Sequence, residues 1–211
     1  MATDAKTTLA LTALALIVPS ATSAFEIREQ PADVRRTEVA SVEWIGAPAT
    51  DVSVEYRHGL DWVPVASGLP SQETGGDLSS ARWQPGRQAP EGTYRMRVEA
   101  AGETVVSDYF TVRPCECLLP SPVRAHWRSG SFRLSMTAEY AAAGIGELRL
   151  AREPVQTGRP LVRVLRDGRR QGSVRLRYRD GAFRGKWAAP RHPRASVVFK
   201  LVALRDAFGN S

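Results

Sequence analysis

The densest chemistry in the chain lies at residues 173–187, SVRLRYRDGAFRGKW, where Arg175, Arg177, Arg179, Arg184 and Lys186 sit on either side of Asp180-Gly181. Asp-Gly between alternating runs predicts a two-residue hairpin turn, whose central residues take positive φ. Across such a turn Arg177 faces Arg184, Arg175 faces Lys186 and Val174 faces Trp187. One side of the ribbon then carries Val174, Leu176, Tyr178, Phe183 and Trp187, and the other carries all five cations. A one-residue slip would bury the charges, so the apolar side sets the register. Opposed like charges weaken a sheet by a few tenths to about 1 kcal/mol per pair, and salt screens much of that beyond a Debye length of about 8 Å. Guanidinium groups hold phosphate and carboxylate through paired hydrogen bonds. The ribbon is therefore a candidate anion-binding surface. Two other readings stay open: a solvated face, and a contact with an acidic part of the same chain.

Other reactive side chains are sparse. Cys115 and Cys117 stand in RPCECLLPSP. Outside the cytosol they are expected to oxidise. A Cys-x-Cys bridge closes a small, strained ring, so a local disulfide and a reduced or intermolecular pair both remain open, and a metal site would need further ligands. His58, His126 and His192 fall in no metal-ligand spacing, and each reads as a loop residue. No nucleophile elbow, phosphate loop or dinucleotide fingerprint occurs. The pattern thus implies no catalytic residue, no metal and no cofactor. Asp206 and Asn210 in RDAFGN fit a turn better than a calcium loop. Most aromatic residues occupy inward strand positions; Trp62, beside a glycine turn, is the best exposed candidate for a binding platform.

The elements that must position these groups are strands. Residues 37–45 and 51–57 alternate, with Val42, Trp44, Val52 and Val54 on the inner side. Trp62–Val65 is a short strand that Pro64 places at a sheet edge. GLPSQETGGD reads as loop, LSSARWQP as a strand, and residues 91–100 and 103–112 as a hairpin about Ala101-Gly102. Some seven strands in residues 25–113, parted by Gly, Pro, Asp and Ser turns, predict a β-sandwich. Residues 114–122, with three prolines and both cysteines, predict a stiff connector. Beyond it, strands are expected at 131–140, 146–152, 160–166, 173–179, 182–188 and 196–205, with at most one helical turn in AEYAAAGIGE. Residues 197–204 are apolar at nearly every position, which predicts a strand covered on both faces. A return strand should follow Asn210-Ser211, so the second module is expected to do without its last strand or to belong to a longer protein.

The 211 residues carry a net charge of +7, but unevenly. Residues 25–113 hold 9 Arg and no Lys against 14 Asp and Glu; residues 114–211 hold 17 Arg and 2 Lys against 7 acidic residues. Such asymmetry predicts two domains, one facing something anionic. A coding bias explains the preference for Arg over Lys but not the split. Thr7–Val18 is an apolar run too short to span a bilayer, and small residues end at Ala24. This predicts a secretory signal peptide over residues 1–24, hence a secreted, periplasmic or envelope protein. Export makes nucleic acid the least suitable anionic partner, and no nucleic-acid-binding motif is present.

The segments VSVEYRHGLDWVPVA (52–66), PEGTYRMRV (90–98) and SDYFTV (107–112) resemble immunoglobulin and fibronectin-III-like modules of exported bacterial proteins, with Tyr94 in the place of a packing tyrosine. RDAFGN resembles the last hairpin of bacterial Ig-like repeats. The tandem is also similar to the C-terminal accessory region of bacterial neutral ceramidase-like proteins, whose zinc-binding and nucleophilic residues would lie in a domain outside this sequence. The expectation is an all-β chain of two tandem sandwiches, one acidic (25–113) and one basic (123–211). Its expected role is a non-catalytic exported binding or adaptor protein that meets an anionic envelope polymer or membrane surface. The alternative is an accessory region of a larger envelope hydrolase.

Overall fold

A computed structural model describes residues 25–189 and 196–211. The expected signal peptide, with His192, Arg191 and Arg194, lies outside the described residues.

Residues 25–113 form ten strands. They are β1 (Glu26–Glu29), β2 (Val34–Arg35), β3 (Ala40–Ile45), β4 (Asp51–His58), β5 (Asp61–Ala66), β6 (Ser71–Gly75), β7 (Leu78–Trp83), β8 (Gly92–Ala100), β9 (Glu103–Val106) and β10 (Phe110–Arg113). One sheet has the order β1-β3-β7-β6 and the other β2-β10-β8-β4-β5, with β9 continuing the β10 side of β8. This is the A-B-E-D sheet facing the G-F-C-C′ sheet of an immunoglobulin-like sandwich. The parallel pairing of β2 with β10 (Val34 with Val112) extends the second sheet. Pro64 does lie on an edge strand, since β5 ends its sheet. SQETG, expected as loop, is instead strand β6: Gln72 pairs with Ser80 and Glu73 with Ser79, so backbone pairing overrides a composition poor in strand formers.

Alternation fills the space between these sheets. Val42, Trp44 and Ala81 from one sheet meet Val52, Val54, Met96, Val98, Phe110 and Val112 from the other. Each of the valines, Met96 and Phe110 contributes roughly 1.5–3 kcal/mol of burial free energy. Tyr94 is fully buried and its hydroxyl donates to the Pro90 carbonyl at 2.7 Å. That bond at the start of the F strand is the tyrosine corner of such sandwiches.

The second part holds β11 (Leu118–Pro120), β12 (Arg124–Arg128), β13 (Ser131–Met136), β14 (Ala138–Tyr140), β15 (Ala143–Ile145), β16 (Leu148–Leu150), β17 (Leu161–Arg166), β18 (Arg169–Arg175), β19 (Arg177–Arg179), β20 (Ala182–Ala188) and β21 (Val197–Ala203). A four-stranded sheet β12-β13-β20-β19 faces a three-stranded sheet β18-β17-β21, with ribbons β11-β14 and β15-β16 beside them. The order repeats A-B-E-D against C′-C-F. Leu134, Met136 and Phe183 meet Val162, Val174, Phe199 and Leu201 in a second core. The chain is thus all-β, two immunoglobulin-like sandwiches in tandem, and the described residues contain no helix. In place of the helical turn expected in AEYAAAGIGE stand β14 and the β15-β16 ribbon.

Three further expectations are corrected. The stretch 114–122 packs into the second core through buried Cys115, Cys117 and Leu118, and β11 pairs with β14. Residues 124–128, expected as loop, form β12. Strand β21 is open on its outer face, with Val198 52% and Val202 37% exposed; the opposite sheet covers only its inner face, which carries Phe199 and Leu201.

Candidate functional site

The four-stranded sheet of the second sandwich is built from alternation. Ala125, Trp127, Phe132, Leu134, Phe183, Gly185 and Trp187 point inward or lie half-buried, while the charged residues between them are exposed. Register then stacks cations into rows. Arg124 pairs with Ser135, Ser135 with Arg184 and Arg184 with Arg177, one row across four strands. The next row runs His126, Arg133, Lys186. Strands lie about 4.8 Å apart, so the first row is roughly 14 Å long. Arg128 and Arg179 extend the face at its two sides, and all of these cations are exposed. Two shallow hollows that share Ser135 and Arg184 join along β13. Their walls are Arg124, His126 and Arg128 from β12 and Arg184 and Lys186 from β20.

Among the described residues Arg124, Arg128, Arg133, Arg177, Arg179 and Lys186 form no ion pair; the six ion pairs involve arginines at other positions. Arg184 folds back on its own turn, Nε donating to the Arg179 carbonyl at 3.2 Å and Nη2 to the Asp180 carbonyl at 3.4 Å. The turn is the expected one, with Asp180 at φ 49° and Gly181 at φ 77°. This face can offer several guanidinium forks to one extended anion, and a concentration of one charge sign raises the local density of counter-ions.

Arg177, Arg179, Arg184 and Lys186 fall on this face, and Arg177 faces Arg184 as the ribbon predicted. Arg175 does not. The strand expected at 173–179 divides at Leu176, whose N–H donates to the Pro160 carbonyl at 2.9 Å. Arg175 therefore pairs with Leu161 in the opposite sheet, and not with Lys186. The divergence has a steric cause. A Cβ on Gly185 would lie 2.5 Å from Leu176 Cδ2 and 2.9 Å from Val174 Cγ1, so the absent side chain admits Leu176 where the two sheets part. Sequence reading missed Arg124, His126, Arg128 and Arg133. The signal was present: RAHWR alternates, and Ser129-Gly130 is a second two-residue turn with φ 48° and 76°.

A second constellation ties the two sandwiches together. The turn after β21 is closed by Asp206, whose Oδ1 accepts from the Phe208 and Asn210 N–H groups, both at 2.9 Å. Its Oδ2 accepts from the Tyr140 hydroxyl at 2.5 Å and from Asn210 Nδ2 at 2.8 Å. Asn210, fully buried, also donates from Nδ2 to the Arg87 carbonyl at 3.0 Å. Its Oδ1 accepts from Arg36 Nη1 at 3.0 Å and from the Cys115 N–H at 3.1 Å. Arg36 Nη1 donates in addition to the Phe208 carbonyl. Arg87, also buried, donates to the Ala141 and Ala151 carbonyls at 3.0 and 2.5 Å, pairs with Glu153 at 3.4 Å and lies 4.7 Å over the Tyr140 ring. Burial, and then the hydrogen bond and charge of Asp206, hold the Tyr140 hydroxyl protonated well above its ordinary range. Burial also pushes Tyr94 up to about 12, helped by Tyr56 and opposed by Arg36. Cys115 and Cys117, joined as a disulfide, sit beside this turn.

The remaining candidates are separate. His126 lies on β12, on the basic face; His58 lies in the first sandwich, 6.4 Å from the Tyr56 ring. Trp62 stacks with Arg95 (4.2 Å) and approaches Tyr109 (5.1 Å), while Arg95 pairs with Glu55 at 2.6 Å. Among the described residues no three His, Cys, Asp or Glu side chains converge.

No family model and no curated protein matches the chain. Among solved structures it is similar to titin Ig tandem domains A164-A165, at 15% identity over 85% of this chain and 95% of that one, with a TM-score of 0.35. It is similar to a second titin tandem, A168169, at 13% identity over 87% and 96%, with a TM-score of 0.36. A third similarity is to tandem Ig repeats of Dlar, at 16% identity over 88% and 91%, with a TM-score of 0.26. Similarities of this size carry no argument about activity; the sandwich architecture stands on the strand order of the chain itself.

Proposed function

We propose that the chain is a non-catalytic, exported binding module that attaches to an anionic envelope polymer or membrane surface through the outer face of β12-β13-β20-β19. The carrying observation is the register: Arg124, Arg184 and Arg177 share one row, Arg133 and Lys186 the next, and no carboxylate among the described residues pairs with them. Opposing cations cost sheet stability, and an anion laid across the rows would offset that cost through charge-assisted hydrogen bonds. The acidic first sandwich supports the second through Arg36 and Arg87, and leaves the basic face turned to solvent.

The test is retention of the whole protein on immobilised heparin and on vesicles containing phosphatidylglycerol, with increasing salt. Arg133→Ser, Arg184→Ser and Lys186→Ser together should abolish retention at a salt concentration that still holds the unaltered protein. Retention of the triple variant at the same salt would overturn the proposal. Heparin without vesicles, or the reverse, would tell a polymer from a membrane surface.

A further inference from the structure

The two sandwiches differ at one edge. In the first, β8 is paired on both sides, by β4 and by the β9-β10 strand. In the second, the strand in the same place, β21, pairs with β17, and no strand among the described residues takes its other edge. Its sequence is VVFKLVA, apolar at every position but one. Phe199 and Leu201 face the core yet stay only half-buried, while Val198 and Val202 are 52% and 37% exposed. A long apolar edge with a row of free N–H and C=O groups is a template for another strand.

We infer that the open edge of β21 receives an extended segment of a partner polypeptide, apolar at the residues facing the core and acidic at the alternate ones. Backbone pairing supplies the affinity in this mode and the alternating side chains supply the selectivity. The acidic requirement comes from the outer face. Lys200 pairs across to Arg163, and Arg175 lies on the same side of the sheet. No ion pair among the described residues neutralises any of the three. A second copy is a poor occupant, since pairing β21 with itself brings Lys200 and Arg163 toward the same cations; a central lysine is a common guard against self-pairing of edge strands. The site is distinct from the basic face of the opposite sheet and does not rest on its function.

The experiment uses the whole protein and a synthetic peptide of alternating Val and Glu, acetylated and amidated, read by fluorescence anisotropy and by hydrogen exchange. The Val/Glu peptide should bind at least tenfold more tightly than an alternating Val/Lys peptide and should protect amides within 197–203. Lys200→Glu should erase that preference. Arg133→Ser, Arg184→Ser and Lys186→Ser together should leave it within twofold. A Val/Glu peptide N-methylated at alternate residues keeps the charge but cannot pair, and should not bind. The inference fails if the N-methylated peptide binds equally well, if protection falls on β12 and β13, or if neither peptide binds. It also fails if 197–203 is already protected without peptide. In that case sedimentation as a dimer would assign the edge to a second copy, and as a monomer to other residues of the same chain.

Discussion

Asn210 receives the guanidinium of Arg36 at 3.0 Å, although the two residues lie in different sandwiches. The same amide donates to Asp206 at 2.8 Å. A buried cation and a buried carboxylate are thereby joined through one neutral side chain whose two donor and two acceptor positions are all used. Removing that bridge takes one hydrogen bond each from Arg36 and Asp206 and the acceptor from the Cys115 N–H, which is costly where the dielectric is low. Asn210→Ala should lower stability by roughly 2–4 kcal/mol in urea unfolding. A loss no larger than that of a surface substitution would show that the bridge is not what holds the two sandwiches together.

Alkaline pH should destabilise the protein in a defined window. The Tyr94 hydroxyl ionises near 10 when unfolded and near 12 when folded, and Tyr140 shifts the same way, chiefly through burial. Above pH 10 the unfolded chain gives up protons that the folded one keeps, so stability is full below 10 and falls as pH rises through the folded values. Tyr140→Phe should flatten part of this fall, and Tyr94→Phe another part. Melting temperatures measured between pH 8 and 12 would check it; equal slopes in both variants and the parent would refute it.

Gly185→Ala tests the parting of the strands at Leu176. The new Cβ would meet Leu176 Cδ2 at 2.5 Å inside a packed core, an overpacking expected to cost about 1–3 kcal/mol. Leu176→Val in the same chain should recover part of that loss, because the two changes share one volume. Additive losses in a double-mutant cycle would place the strain elsewhere.

Sheet membership separates cations that sequence position puts together. Each cation near an anionic surface is worth about 1 kcal/mol, so losing Arg133, Arg184 and Lys186 should weaken vesicle binding roughly a hundredfold. Arg175→Ser should change it by no more than the nonspecific effect of one unit of charge, since Arg175 belongs to the opposite sheet. An Arg175 effect as large as that of Arg184 would mean that the two sheets act as one surface.

Local rules carried much of this architecture. Period-two burial placed Val42, Trp44, Val52 and Val54 in the first core, and Asp180-Gly181 set the pairing of Arg177 with Arg184. What stayed hidden depends on distant partners. Leu176 could not announce that its strand changes sheets, because the reason is the empty position at Gly185 on another strand. SQETG looked like loop because its pairing with β7, and not its composition, makes it a strand. RAHWR offered only five alternating residues, and its place beside β13 is decided by the Ser129-Gly130 turn. The apolar run 197–203 suggested burial on both faces, but hydropathy does not say whether a second layer lies over the outer one. Least legible were Arg36 and Arg87, ordinary surface arginines by sequence: Arg36 is buried by a turn more than a hundred residues away, and Arg87 by the Tyr140 ring and the Ala141 and Ala151 carbonyls of the other sandwich.

The closing turn at Asp206–Asn210 also bears on how such a chain can be inherited. Two sandwiches joined by a short proline-rich stretch look like units that recombination could trade separately. Exchange at that seam would strand Arg36 and Arg87 in one lineage, and Asp206, Asn210 and Tyr140 in the other, each with polar groups shaped for an absent mate. Descent should therefore carry the pair as a single cassette, with those five side chains drifting together and the arginines of the outer sheet free to vary one at a time.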